Sequence, residues 1–219
     1  MKFVYIAACL ALYLKMLWLA NPAPNLPFVI ADVIAADSGV SNTVAGVIFR
    51  NRLYDTIFEV IVFTIAIMGA KYLLANEHPS LHIHQFTDQA SIVLARLGAT
   101  IASLVGIELA IRGHLSPGGG FAAGVAIGTA IGLIAMTSSP ERMEAVYHRW
   151  HAATWEKISV LIFIVLAVFT LAGVELPHGQ LGELISGGII PILNILVAIK
   201  VALGSWAAVL LFIRYRGLL

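Results

Sequence analysis

Apolar residues in this chain fall into long unbroken runs separated by short polar stretches, without the two-residue or amphipathic spacing of a soluble domain. Six runs are long enough to cross hydrocarbon about 30 Å thick: residues 3–20, 54–74, 92–111, 118–136, 158–175 and 187–213. They predict an all-α, polytopic transmembrane helical protein of about six membrane helices. The last run exceeds one crossing, so its Gly187-Gly188 and Pro191 introduce a bend or the helix tilts. Residues 21–51 are of a different kind. Asp32 and Asp37 bar them from lipid, but Phe28, Val29, Ile30, Val33 and Ile34 suit an interfacial amphipathic segment or a re-entrant piece. Residues 75–90 and 137–157 read as polar, histidine-rich loops. The first run is interrupted by Lys15, and the Asn21-Pro22-Ala23-Pro24 that follows lacks a small-x-small cleavage site. It is expected to be a retained first helix rather than a signal peptide.

Composition agrees. Of 219 residues, 60% are hydrophobic and 11% charged, against about 25% charged in soluble domains. A net charge of +1 gives no reason to expect nucleic acid. The lone cysteine, Cys9, excludes a disulfide framework or a cysteine-based metal site within the chain. Among the loop histidines His78, His82, His84, His148 and His151, only His82-x-His84 has any regular spacing, so no metal or cofactor is expected. With the amino terminus in the cytoplasm, that side holds Lys2, Lys71, Arg142, Arg149, Lys157, Arg214 and Arg216, and the other side Arg50, Arg52 and Arg112. The bias favours cytoplasmic termini.

Arg112-Gly113-His114-Leu115-Ser116-Pro117-Gly118-Gly119-Gly120-Phe121 is the most specific stretch. Arg112 and His114 fall at a membrane boundary, Pro117 suits the first position of a helix, and the glycines admit close backbone approach. Gly120, Gly124, Gly128 and Gly132 then repeat every fourth residue, the small-xxx-small pattern of tight helix packing in membranes. No Lys-Ser/Thr follows the glycines, which argues against a phosphate loop. A hydrolase built on Ser116 and His114 is disfavoured, because the two lie in one turn without a third orienting group. The stretch resembles the signature of the MnhB family, the B subunit of Mrp-type multisubunit sodium/proton antiporters. The likeness runs over residues 86–219 and includes Arg96 and the closing segment Pro191-Ile192-Leu193-Asn194-Ile195-Leu196-Val197-Ala198-Ile199-Lys200-Val201.

A second motif, Arg52-Leu53-Tyr54-Asp55-Thr56-Ile57-Phe58-Glu59, opens the second run. Thr56-x-x-Glu59 has the form of a capping box, yet Glu59 lies about 8 Å inside the span by helical rise, where an acid is a functional candidate. With Ser41-Asn42-Thr43-Val44 before it, this region is similar to the carboxyl-terminal domain of the Mrp A subunit, which also stands alone as the E subunit of membrane-bound hydrogenases. Two domains are therefore expected: residues 1–85, A-tail-like with two helices, and residues 86–219, MnhB-like with four.

Lys15, Asp55, Glu59, Glu108, Arg112 and His114 should gather at one membrane face, either as an ion-pair network such as Lys15 with Asp55 or as the border of an ion path with His114 titrating near neutrality. Lys200 lies near the middle of the last span and needs an acid, with Glu108 or Glu59 nearest in depth. Arg96 is free to snorkel. The resemblance implies a non-catalytic subunit in the cell membrane, assembled with other Mrp antiporter subunits, which exchange Na+ for H+, and without a cofactor. The alternative is the corresponding subunit of a complex I-like hydrogenase or related ion-pumping oxidoreductase.

Overall fold

The computed structural model describes Leu14, residues 30–80, Ile83 and residues 85–217. The chain divides into two units, Met1–Ile30 and Ala31–Leu219, and the helical bundle belongs to the second. The expected first helix, with Cys9 and Lys15, lies outside the described residues, as do His82 and His84. All regular structure among the described residues is helical.

From residue 30 onward two short helices lead, α1 (Ile30–Ser38) and α2 (Thr43–Gly46), followed by a π-helical turn at Val47–Asn51. Asn42 caps α2, its Oδ1 accepting from the amides of Val44 and Ala45 at 3.1 and 3.4 Å. This part does more than lie at an interface. Val40, Phe49 and Leu53 are buried against Ile190 and Leu193, so the segment closes one end of the bundle.

Among the described residues, four helices are long and apolar enough to span a membrane: α3 (Leu53–Leu74), α4 (Gln89–Arg112), α7 (Ala152–Leu171) and α8 (Ile190–Arg216). The fourth expected run forms α5 (Gly119–Ala135), whose 17 residues rise about 25 Å. The fifth run begins six residues earlier than its apolar pattern, at Ala152 instead of Ile158, because the polar residues Thr154, Glu156 and Lys157 join its first turns. The preceding stretch is likewise no plain loop. It holds α6 (Pro140–Arg149), opened by Ser139, whose hydroxyl accepts from the Arg142 amide, and by Pro140 in the first turn. Ser-Pro-Glu was legible as a helix start. His151, at φ 48°, then turns the chain sharply from α6 into α7.

Helix α8 is the hub: α3, α4, α5 and α7 all pack on it, and α4 packs on α5. Outward faces such as Phe58, Val62, Ile65 and Met68 on α3 are apolar and exposed, as surfaces in contact with lipid or partner chains must be. Exposed Trp150 and Trp155 flank the α6–α7 turn at the level of an aromatic belt.

Candidate functional site

Two asparagines hold the glycine-rich loop between α4 and α5. Asn42 donates from Nδ2 to the carbonyls of Gly113 and Ser116, each at 2.8 Å, and its backbone amide donates to the His114 carbonyl at 3.1 Å. From the other side Asn194 of α8, fully buried, donates to the carbonyls of Ala110 at 2.7 Å and Leu109 at 3.3 Å, the orphan acceptors at the end of α4. The glycines follow from this clamp. A Cβ on Gly113 would strike the Asn194 amide nitrogen, and one on Gly120 would strike the Asn194 carbonyl oxygen. Gly118 and Gly119 sit at φ 130° and 70°, where a side chain is strained. Pro117 is not the first helical residue. Gly118 is the N-cap and Gly119 starts α5, because the chain needs the two left-handed residues to turn into the helix.

Beyond the loop, the glycine face meets α8. Cβ atoms on Gly124 and Gly128 would approach Val201 Cβ to 2.5 Å and Ser205 Cβ to 2.7 Å. Gly132 faces nothing within 4 Å, so three of the four glycines make the seam. Gly106 of α4 makes a second close approach, with Ile127 and the Ala123 carbonyl of α5 at 2.6 and 2.9 Å from a built Cβ. A glycine outside the ladder had no pattern to mark it.

His114 is wholly buried beneath residues 172–189, and neither ring nitrogen completes a hydrogen bond. Burial holds its imidazole below the ordinary range, and the backbone of Glu183 and Leu184 only partly opposes this. That direction favours the neutral imidazole. Ser116 does not face it, since its hydroxyl donates to the Arg112 carbonyl at 3.2 Å.

The rim acids are spread out. Asp55 pairs with Arg52 along its own helix, and Glu108 pairs with Arg112 at 3.2 Å, both partners exposed. Glu59 is exposed on α3 and has no partner among the described residues. The capping-box reading of Thr56 and Glu59 fails, because α3 already starts at Leu53 and the Thr56 hydroxyl donates to the Ile48 carbonyl at 2.7 Å, tying α3 to the π-helical turn. At the same end, Arg50 joins Asp37 at 2.9 Å and Glu175 at 3.0 Å, with His178 alongside, an ionic link between the first helices and residues 172–189. These carboxylates hold the Arg50 guanidinium above its ordinary pKa.

Lys200 is only 1% exposed, inside α8, with Nζ 3.7 Å above the Phe63 ring. The acid whose charge acts on it is neither Glu59 nor Glu108 but Glu156 of α7, itself buried. The carboxylate abuts Gly204, one turn beyond Lys200, where a Cβ would lie 3.4 Å from Oε1. Neither Lys200 Nζ nor Glu156 Oε1 has a hydrogen-bond partner among the described residues. Reading residues 137–157 as a loop hid Glu156; its spacing from Ser159 and Phe163 on one buried face was the available signal.

Helices of membrane length around a hub helix, two buried opposite charges and an asparagine-clamped loop define a multi-pass membrane protein. The family model described as "Domain related to MnhB subunit of Na+/H+ antiporter" matches residues 90–207, and the chain belongs to that family. An uncharacterized protein of Methanocaldococcus jannaschii is 28% identical over 203 residues, covering 78% of this chain and 77% of the relative. Among solved structures, a chain of the membrane-bound sulfane sulfur reductase, an archaeal respiratory membrane complex, aligns with a TM-score of 0.69 and 26% identity, covering 97% of this chain and 99% of that one. A chain of the Mrp complex from a Dietzia species aligns with a TM-score of 0.62 and 20% identity, covering 94% of this chain and 25% of that one, a likeness of fold.

Proposed function

We propose that this chain is a membrane subunit of a multisubunit Na+/H+ antiporter complex of the Mrp type, with no reaction of its own. The observation that carries this reading is the family match over residues 90–207, which takes in the clamped loop, the glycine seam and Lys200. Residues 1–85 are read as the A-tail-like domain on the Arg52-to-Glu59 motif and the Ser41-Asn42-Thr43-Val44 before it. In the complex the chain supplies packing surfaces and a stretch of ion path.

Asp55, Glu59, Glu108, His114, Lys200 and Lys15 are the ion-path candidates, and Glu156 joins them. A lysine and a glutamate buried in membrane helices without a direct ion pair fit a wet or partner-lined cavity better than a sealed core. The test is sodium-dependent proton exchange in everted vesicles, with assembly checked in the same membranes. The Lys200→Met/Glu156→Gln double variant removes both charges without leaving one stranded. It should assemble and lose exchange by roughly tenfold or more, about 1.4 kcal/mol of barrier. Exchange at the wild-type rate would return the pair to a structural role.

A second reading, a subunit of an ion-pumping respiratory complex, is favoured by one observation: the sulfane sulfur reductase chain matches end to end, at 97% and 99% coverage. Identifying every co-purifying subunit separates the two, since redox subunits with iron–sulfur ligands accompany only the second.

A further inference from the structure

At the membrane boundary where α5 ends and α6 begins, a groove of about 800 Å³ runs between α4, α5, α6 and α8. Arg96 and Arg142 stand along it from different helices, and neither side chain has an ion pair or hydrogen bond among the described residues. No carboxylate lines the groove among the described residues. Trp206 of α8 also lines the groove, its ring in edge contact with Tyr147 at 5.3 Å. Below the arginines the walls are mainly small and apolar, with the hydroxyls of Thr100 and Ser103 among them. Ala99, Ser103 and Leu104 continue the α4 stripe inward opposite Ile131 and Ile134 of α5, and the small residues leave room between the helices.

From this arrangement we infer a binding site for an anionic phospholipid, its phosphate between Arg96 and Arg142 and one acyl chain along the apolar floor. Depth argues for lipid. Arg96 lies seven residues into α4, about 10 Å along the axis, and its long side chain reaches back toward headgroup level. Arg142 sits on α6, whose apolar Met143 packs on Ala135 and Ile213 while its charged residues face out, so α6 lies at the boundary itself. A free anion would use the two guanidiniums and leave the apolar stripe bare. A partner helix would need an acid at this depth, at the cost of burying it in a membrane interface. A phospholipid satisfies both halves of the groove, and each arginine near an anionic headgroup strengthens binding by roughly fivefold.

The experiment uses the purified complex carrying Cys9→Ala and Ser138→Cys, with a fluorophore on the new cysteine at the groove. Labelled complex without Ser138→Cys supplies the background. In phosphatidylcholine nanodiscs, brominated phosphatidylglycerol should quench the fluorophore at lower mole fraction than brominated phosphatidylcholine. Arg96→Gln and Arg142→Gln should each raise the required fraction roughly fivefold, with subunit composition unchanged. Thr100→Trp, which fills the groove and keeps both arginines, should abolish the preference. Inorganic phosphate should not relieve the quenching. The site is refuted if the double arginine variant quenches like wild type or if phosphate alone displaces the lipid. It is also refuted if the arginine variants shed a partner subunit while the lipid preference stays, which would mark the groove as a protein interface.

Discussion

His114 is buried as a neutral imidazole, and this sets a pH dependence. Its folded pKa lies below the ordinary 6.5, so the folded state binds fewer protons than the unfolded state on acidification. Its stabilising contribution is fully present above 6.5 and falls as pH drops toward the folded value, by at most about 1.4 kcal/mol per pH unit. Thermal unfolding of the purified complex should shift down through this window, and His114→Gln should flatten the shift. An unchanged slope would mean that His114 does not contribute. The Glu156 site makes a different prediction. Glu156→Ala alone leaves Lys200 buried without its opposing charge and should destabilise the fold. Adding Lys200→Met should recover much of that loss in a melting assay, because no charge then stays buried. Glu59 faces outward, so Glu59→Gln should leave stability unchanged, and exchange in vesicles decides whether its charge serves the ion path.

At the scale of elements, the seam between α5 and α8 yields a contrast within one helix. A leucine at Gly124 or Gly128 must displace Val201 with the Ala198 carbonyl, or Ser205, from contacts already at 2.5–2.8 Å. Overpacking of that kind costs about 1–3 kcal/mol or more. Gly132→Leu, with nothing within 4 Å, should be tolerated. Recovery of intact complex from membranes measures all three, and equal recovery would remove the seam as an assembly determinant. The four-residue repeat was fully visible in the sequence, but which glycines it engages depends on where α8 diverges. The role of Thr56 at the start of α3 escaped the sequence pattern for a related reason. Thr56 bonds to a carbonyl eight positions back, across a π-helical turn that no local spacing reveals.

For the whole molecule, the Lys/Arg bias of the sequence predicts cytoplasmic termini, with α1 and α2 on the opposite side. Ser41 is exposed beside the clamped loop. A cysteine placed there in a Cys9-free chain should react with an impermeant thiol reagent in intact cells. Labelling only after the membrane is opened would invert the orientation.

By itself the sequence determined the fold class and the spans 54–74, 92–111 and 187–213, because hydrocarbon thickness imposes a run length that few soluble helices reach. It also marked the loop from Arg112 to Phe121, since a chain that must turn through left-handed backbone beside a crossing helix has only glycine to use. The partners of these groups were decided by tertiary structure. Asn42 and Asn194 look like ordinary polar residues in sequence and become the clamp only when α2 and α8 converge on the end of α4. Lys200 was plainly a buried cation, but its acid lay 44 positions away in a stretch that composition assigned to a loop. Apolar run length reports which residues lipid accepts. It carries no information about which polar residues a neighbouring helix will draw into the span, and that depends on the packing of α7 against α8.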